Sequence, residues 1–146
     1  MLSLSSEAPH GPGSPQERWL RAQLRAPGTC RIAFWHRPRY SAGRRYGDQA
    51  DMAPLWHDLR GRAAIAIAGH EHDMQRLEPI DGMTEFVSGA GGRSHYAVRA
   101  DDRRVAFADD RDDGALRLTL RPLRAGYAFI SAGGRVLDRG TLTCRR

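Results

Sequence analysis

The chain has 146 residues, of which 40% are apolar and 27% are charged, and its formal net charge is +6. This balance indicates one globular domain and excludes a disordered or membrane-embedded chain. All 23 basic residues are arginine, and the sequence contains no lysine and no asparagine. Because the arginines are scattered, we interpret them first as a compositional bias and second as a basic surface for an anionic substrate.

The sequence shows no route to or across a membrane. No apolar run approaches the roughly 20 residues that a membrane span needs, so no membrane partner is expected. The first six residues, MLSLSS, are too short for a signal peptide and lack its basic flank. Cys30 and Cys144 lie far apart, and two cysteines say little about the redox compartment, so their pairing stays open.

Helix and strand signals alternate in the first half of the chain. Ser14 is a candidate N-cap followed by Pro15, and Glu17 completes a capping box, which predicts a helix beginning here. Gly28 ends that helix. The other predicted segments are the end of a strand at 2–5, a loop at 8–15, a buried strand at 31–35, a helix at 51–60 and a buried strand at 63–68.

The second half reads as antiparallel strands. Strands are predicted at 74–80 and 84–89 around an Asp81-Gly82 turn, and then at 115–122, 127–131 and 135–143. Residues 100–114, in which acidic and basic residues alternate, are predicted to be a solvated turn region. The three tryptophans, Trp19, Trp35 and Trp56, are predicted to be core. This order of elements predicts an α/β sandwich whose site lies on loops at strand ends.

Three histidines follow the two buried strands. His36 comes directly after the first strand, and His70 and His72 come directly after the second. Residues i and i+2 of an extended chain point the same way, so His70 and His72 can project together while Glu71 points aside. Neutral imidazole is a common metal ligand, so the pattern suggests a metal site. The alternative is that all three are ordinary polar loop residues.

The sequence segments around these histidines resemble those of a known family. The chain resembles bacterial secreted phosphoesterases of the purple-acid-phosphatase-like group, within the calcineurin-like metallophosphoesterases. The resemblance runs from about residue 11 to the end. It rests on GPGSPQERWLRAQL (11–24), IAFWHRPRYSAG (32–43), MAPLWHDL (52–59), AGHEH (68–72), EFVSGAGG (85–92), GALRLTL (114–120) and GRVLDRGTLTC (134–144).

The resemblance implies a fold, an activity and a metal centre. The fold is the α/β, four-layer αββα metallophosphoesterase sandwich, here only its C-terminal half, with mixed strands, two helices and antiparallel C-terminal strands. Such hydrolases cleave phosphate esters with water activated by two metal ions (Fe, Zn or Mn) roughly 3.5–4 Å apart. His36 and His70 match ligands of one metal, and His72 matches a ligand of the other.

The family's other ligand motifs are missing from this sequence. Without asparagine there is no G-N-H motif, and there is no D-x-H motif. The string Gly47 to Asp51 matches G-D-x-x-D but lies after His36, where Asp51 is better explained as a helix N-cap. The ligand set is therefore incomplete, and we expect an enzyme fragment that is weak or inactive alone, with a missing N-terminal half as its partner.

The domain expected from this resemblance is a single calcineurin-like phosphoesterase domain over residues 1–146, truncated at its N-terminus. It comprises a leading loop at 1–15, a segment carrying metal ligands at 16–92 and C-terminal strands at 93–146. The loss of sheet partners would leave strand edges exposed and the fold marginal. Members of the family are usually secreted or periplasmic, whereas this chain's own localisation is left open.

Three further residues are candidate substrate ligands. Arg37 and Arg39 flank His36, and a guanidinium suits a phosphate, whereas His95 follows the glycine-rich loop and could line the same cleft. Glu71 is a candidate outer-shell acceptor. The alternative functions are a non-catalytic basic binding domain and a domain that stabilises a partner chain. The sequence lacks interleaved aromatic and basic residues, which counts against nucleic acid as a specific partner.

Overall fold

Two β-sheets and two α-helices form the part of the chain that this computed structural model describes, residues 1–28, 30–99 and 101–144. The helices are α1 (Pro15–Arg25) and α2 (Ala53–Leu59), and a 3₁₀ turn (Ala50–Met52) leads into α2. The strands are β1 (Leu2–Ser3), β2 (Ile32–Phe34), β3 (Ile65–Ala68), β4 (Met74–Leu77), β5 (Thr84–Ser88), β6 (Val105–Asp109), β7 (Gly114–Arg121), β8 (Arg124–Ser131) and β9 (Val136–Thr143).

The larger sheet has six strands in the order β1-β2-β3-β5-β4-β6. Strands β1, β2, β3 and β5 run parallel, and β4 is antiparallel to both β5 and β6. The carboxyl ends of β2, β3 and β5 therefore lie at one edge of the sheet. The loops that follow them, which carry His36, the 70–72 segment and the 89–92 segment, meet at that edge.

Helix α1 begins as its sequence predicts. The side chain of Ser14 accepts a hydrogen bond from the backbone N–H of Glu17 at 3.1 Å, and Pro15 is the first helical residue. Leu20 and Leu24, four residues apart, are buried on one face. The prediction that Trp19 is core is wrong. Its side chain is 44% exposed, because the position next to Leu20 points about 100° away from the buried face.

The two helices cover one face of the larger sheet. Trp35 and Trp56 are both buried, as predicted, with their rings edge to face at 6.5 Å. Asp51 does not cap α2, because the residue preceding the helix is Met52, which makes no side-chain cap bond. The predicted N-cap role is therefore wrong, and the Asp51 carboxylate instead accepts a hydrogen bond from Arg37 at 2.7 Å.

The smaller sheet, β7-β8-β9, packs on the opposite face of the larger sheet. Phe86 of β5 and Phe129 of β8 are fully buried at this contact, with ring centroids 5.9 Å apart. A disulfide joins Cys30, just before β2, to Cys144, just after β9, and so ties the two sheets together. The two cysteines are 114 residues apart in sequence. A crosslink that closes so long a loop restricts the unfolded chain and thereby favours the folded one.

Strand β6 was not predicted from the sequence. The turn region predicted at 100–114 contains this strand, which pairs with β4, whereas residue 100 itself lies outside the described residues. Val105 and Phe107 alternate with alanine, and Phe107 packs towards Phe129. The charged residues on both sides of this short segment conceal an edge strand that is only half buried.

The predicted α/β sandwich is confirmed. The described residues form three layers, namely helices, the six-stranded sheet and the three-stranded sheet. Alternate residues of β2 and β3 point to opposite faces of the larger sheet, and both faces are covered. Ala33 and Ala66 face the helices, whereas Ile32 and Ile65 face the second sheet. None of the helices in the described part of the chain has the length and apolar character needed to span a bilayer.

Candidate functional site

His36 and His70 lie in direct contact at the carboxyl edge of the larger sheet. The Nδ1 atom of His70 is 3.1 Å from the Nε2 atom of His36, and the ring centroids are 4.9 Å apart. Burial, and next the neighbouring His36, hold the pKa of His70 below its usual value of 6.5. His70 is therefore neutral at pH 7, which is the form that can bind a metal or accept a proton.

His72 faces the same cleft but has other partners. Its Nδ1 atom lies 3.0 Å from the backbone carbonyl oxygen of Ser94, and its ring stacks on Tyr96 with centroids 4.1 Å apart at an angle of 16°. The structure thus brings the three predicted histidines to one cleft. Two of them touch each other, and the third is held by the segment that follows β5.

The cleft is open and has a volume of about 430 Å³. Its polar lining includes two arginines that the sequence reading did not single out, Arg45 and Arg93. The residues around it are His36, Arg45, Tyr46, Gly69, His70, His72, Ser88, Gly89, Arg93 and Tyr96. Two guanidinium cations beside imidazole and phenol rings together favour an anionic ligand.

Tyr46 and Tyr96 were also missed by the sequence reading. Tyr46 lies against His70 with ring centroids 4.0 Å apart, and the two tyrosines meet edge to face at 5.9 Å. The Arg45 guanidinium lies 4.7 Å from the Tyr96 ring centroid and 5.4 Å from that of Tyr46. The only sequence signal was the spacing of Arg and Tyr within two loops, and the structure shows that these loops meet.

Buried side chains at the strand ends fix the arginine-rich loop at 37–49. Glu71 Oε1 accepts hydrogen bonds from the backbone N–H groups of Tyr46 at 2.8 Å and Gly47 at 2.7 Å. Gln75 Oε1 accepts one from the N–H of Ala42 at 2.9 Å. Glu71 and Gln75 are fully buried, so these bonds form where water cannot compete for them.

Glu85 holds the start of the same loop. Its two carboxyl oxygens accept hydrogen bonds from the backbone N–H groups of Arg39 at 2.9 Å and Tyr40 at 2.8 Å. Burial raises the pKa of Glu85 to about 8, although both backbone bonds favour the ionised form. Burial likewise raises the pKa of Asp73 to about 7 against a hydrogen bond from Gln75. Buried carboxyl groups therefore shape the loop beneath the cleft.

Two glycines allow Glu71 to occupy its position. A Cβ atom at Gly43 would overlap the Glu71 carboxyl group, and a Cβ atom at Gly89 would overlap the Glu71 backbone oxygen. Glu71 is thus enclosed between the arginine-rich loop and the segment that follows β5. Its carboxylate does not point into the cleft, so it supports the loop rather than a group bound near the histidines.

Of the three predicted substrate ligands, none lines the cleft. The Arg37 guanidinium donates to the backbone oxygen of Ser6 at 2.6 Å and to the carboxylates of Glu7 and Asp51. Arg39 lies over the Tyr40 ring at 4.2 Å. His95 pairs with the Asp113 carboxylate at 3.0 Å. These contacts engage the three side chains outside the lining of the cleft.

The residues present do not fit a complete two-metal centre. Within residues 1–28, 30–99 and 101–144, no group of three or more histidine, cysteine or acidic side chains is placed to hold an ion. Glu71, the buried carboxylate next to His70 in sequence, accepts both loop N–H groups with Oε1, and its Oε2 atom is buried without a hydrogen-bond partner among the described residues. What the cleft does contain is one pair of ring nitrogens, of His36 and His70, close enough to reach a single ion at roughly 2.0–2.1 Å each.

The architecture is that of the metallophosphoesterase fold. The mixed α/β order, with a mixed sheet, two helices and an antiparallel C-terminal sheet, is shared with solved structures of that fold. No family model matches the chain, and no curated protein matches its sequence. The comparisons therefore support the fold and do not reach the narrower purple-acid-phosphatase-like group.

Two solved structures are informative. The chain is similar to GAP50, described as the anchor in the inner membrane complex of Plasmodium, with a TM-score of 0.79 and 20% identity. That match covers 99% of this chain and 49% of the other. The chain is also similar to a dimetal phosphatase from Danio rerio, with a TM-score of 0.56 and 19% identity over 90% of this chain and 38% of the other. The chain thus spans half or less of the length of these two proteins.

Proposed function

We propose that the cleft binds phosphate esters and forms the histidine side of a metal-dependent phosphoesterase site. The observation that carries the proposal is the 3.1 Å approach of His36 Nε2 to His70 Nδ1 in a cleft that also contains two arginines. The lowered pKa of His70 keeps that ring in its metal-binding form at neutral pH. The similarity to a dimetal phosphatase supports this class of function at the level of the fold.

The arginines suit the ester's phosphate. Arg45 and Arg93 bring positive charge to the cleft of a chain whose net charge is already +6. A guanidinium can donate two parallel hydrogen bonds to phosphate oxygens, and a charged cleft raises the rate at which anions arrive. Arg37, by contrast, already donates to four acidic or carbonyl groups, which leaves it little capacity for a ligand.

We further propose that hydrolysis requires ligands beyond those of the described residues. Two metal ions in this fold would supply an activated water, but the described residues do not complete such a centre. Residues 1–146 would then be an N-terminally truncated phosphoesterase domain, as the sequence suggested. Its metal, Fe, Zn or Mn, and its place among purple-acid-phosphatase-like enzymes belong to the same proposal. We expect the chain alone to bind phosphate and hydrolyse its esters weakly or not at all.

The test measures metal and phosphate binding calorimetrically, with Zn²⁺, Mn²⁺ and inorganic phosphate as the probes. The double variant His36→Ala/His70→Ala should bind metal at least tenfold more weakly than the unmodified chain. The control is His57→Ala, which removes an exposed histidine of α2. A parallel Arg45→Ala/Arg93→Ala variant should bind phosphate at least tenfold more weakly.

Two outcomes would contradict the proposal. Equal metal affinity in the double variant and the control would remove the histidine pair from the site. Efficient metal-dependent hydrolysis of p-nitrophenyl phosphate by the chain alone, lost in the double variant, would mean that the site is complete and that the truncation is wrong.

A second candidate is a non-catalytic domain that binds or stabilises a partner chain. The observation that favours it is the absence, among the described residues, of any three-residue metal group. The similar Plasmodium protein is described as an anchor, which is also compatible with a structural role. This candidate predicts no metal binding and a partner interaction that is unchanged in the His36→Ala/His70→Ala variant, and the metal titration therefore separates the two.

A further inference from the structure

We propose that the cleft selects phosphate esters that carry a planar aromatic group, such as aryl phosphates or nucleotides, over aliphatic phosphate esters. This inference rests on the proposed function, because it assigns the substrate class of the same site. It is carried by the tyrosine wall, which we define as Tyr46 and Tyr96 together with Arg45. Phosphate recognition alone needs the arginine but does not require either phenol ring.

The tyrosine wall presents aromatic surface beside the histidines. Tyr46 is 43% exposed although it packs on His70 at 4.0 Å, and Tyr96 lines the same cleft while stacked on His72. Large aromatic side chains are usually buried, so an exposed ring at the mouth of a cleft offers a surface for a ligand. A planar group can lie against such a ring with offset or edge-to-face geometry.

The position of Tyr46 is fixed from below. Its backbone N–H donates to the buried Glu71 carboxylate at 2.8 Å, and Gly47 donates to the same oxygen. A loop held by a buried carboxylate loses little further freedom when a ligand binds. Preorganisation of this kind increases affinity because less entropy is lost on binding.

The position of Tyr96 is fixed by the same histidine segment. Its backbone N–H donates to the carbonyl oxygen of His72 at 3.2 Å. The two loops are also paired with each other, since the N–H of Arg44 donates to Ala97 at 2.8 Å and Gly43 forms an antiparallel bridge with Val98. The segment from His70 to His72 therefore positions both tyrosines, which couples the aromatic surface to the histidine pair.

Arg45 is placed to contact both the phosphate and the aromatic group of such a ligand. Its guanidinium carbon lies 4.7 Å from the Tyr96 centroid and 5.4 Å from the Tyr46 centroid, so the cation lies over both rings. An arginine placed in this way can meet a phosphate with its edge and an aromatic group with its face. Alternating basic and aromatic side chains recognise nucleotide-like ligands by this combination of charge and stacking. The structure brings basic and aromatic side chains from two separate loops to this one cleft.

The test compares four probes by calorimetry: inorganic phosphate, glycerol 3-phosphate, phenyl phosphate and adenosine monophosphate. The unmodified chain should bind the two aromatic esters about tenfold more tightly than glycerol 3-phosphate. The variants Tyr46→Leu and Tyr96→Leu should reduce that ratio to about one. The matched variants Tyr46→Phe and Tyr96→Phe keep the ring and should keep most of the ratio, which shows whether the effect belongs to the aromatic face.

The outcomes separate this inference from the proposed function. Equal affinity for glycerol 3-phosphate and both aromatic esters, with tight binding of inorganic phosphate, would overturn the aromatic selection and leave the phosphate site intact. No binding of any of the four probes would overturn both proposals. Tighter binding of adenosine monophosphate than of phenyl phosphate would identify nucleotides as the ligand class, and the reverse would identify small aryl esters. If a leucine variant melts at a much lower temperature, the phenylalanine pair and the probe ratio of the unmodified chain still decide the question.

Discussion

The two walls of the cleft differ in how completely they are built. The histidine wall, His36 and His70, has its key nitrogens 3.1 Å apart, but the described residues supply no carboxylate to accompany them. In the tyrosine wall, Tyr46 is exposed and Tyr96 is half-buried, yet each tyrosine N–H is bonded to the 70–72 segment. The histidine wall therefore has a recognisable motif but too few ligands for a two-metal centre. The tyrosine wall matches no motif, but hydrogen bonds fix the backbone of both tyrosines.

This difference follows from the positions of the buried polar side chains. Gln75 Oε1, Glu71 Oε1 and both carboxyl oxygens of Glu85 accept hydrogen bonds from backbone N–H groups of the 37–49 loop. Buried hydrogen bonds of this kind fix a loop in one conformation, because leaving any of the partners unpaired is costly. The loop that carries Arg45 and Tyr46 is therefore held in one conformation. The first way to test the comparison is to substitute the buried residues that hold this loop.

The substitution Gly89→Ala should have the largest effect. Its new Cβ atom would overlap the backbone oxygen of Glu71, which cannot move without displacing the histidine segment. We expect a loss of about 3 kcal/mol or more in the free energy of unfolding, measured by urea denaturation. Gly91→Ala is the control in the same loop, since no atom lies within 4 Å of its added Cβ. Similar losses in both variants would show that the close packing around Glu71 is not the constraint.

The substitution Glu71→Ala should come next. It leaves the N–H groups of Tyr46 and Gly47 without their buried acceptor, and we expect a loss of about 2–3 kcal/mol. Glu71→Gln should cost less, because both N–H groups bond to a single oxygen that the amide can still provide. Urea denaturation gives the stabilities, and near-ultraviolet circular dichroism reports the environment of the tyrosines. A signal in Glu71→Ala unchanged from the unmodified chain would mean that the tyrosine wall does not depend on this carboxylate.

The sequence predicts the parts of the fold that depend on local patterns. The capping residues of α1 are close in sequence, and the Asp81-Gly82 turn takes positive φ at both positions, 53° and 81°. The strands that end at the histidines are apolar runs, so their positions were predictable too. Trp19 was misplaced because residue type alone does not reveal which face of a helix is buried.

The tyrosine wall could not be predicted from the sequence for a physical reason. Tyr46 is positioned by a side chain 25 residues away, and Tyr40 by one 45 residues away. Neither contact leaves a periodic or spaced signal, since any acidic residue at a strand end resembles a solvated one. Arg37 was similarly judged by its neighbour His36, although its guanidinium donates hydrogen bonds to Ser6, Glu7, Gln49 and Asp51. Long-range polar contacts decide the chemistry of this edge of the sheet.

The third and smallest expected effect is a pH dependence of stability that arises from Glu85. Burial raises its folded-state pKa to about 8 from 4.5, so between these values the folded chain holds a proton that the unfolded chain has released. Its contribution to stability is therefore fully present below pH 4.5 and is lost as the pH rises through 8. The slope should reach up to about 1.4 kcal/mol per pH unit.

The groups around Glu85 decide the pH window for this measurement. The N–H groups of Tyr40 and Arg39 lower the pKa, the Asp48 carboxylate raises it, and the Arg39 charge lowers it. The lowered pKa of His70 has the opposite effect on stability, but only below about pH 6.5. Urea denaturation between about pH 7 and 8 should therefore show a falling stability that is flatter in Glu85→Gln and unchanged in the exposed control Glu78→Gln. Parallel curves for Glu85→Gln and the unmodified chain would mean that Glu85 is ionised in the folded protein. The two backbone N–H bonds would then outweigh burial, and the loop beneath the tyrosine wall would be held by a carboxylate rather than by a carboxylic acid.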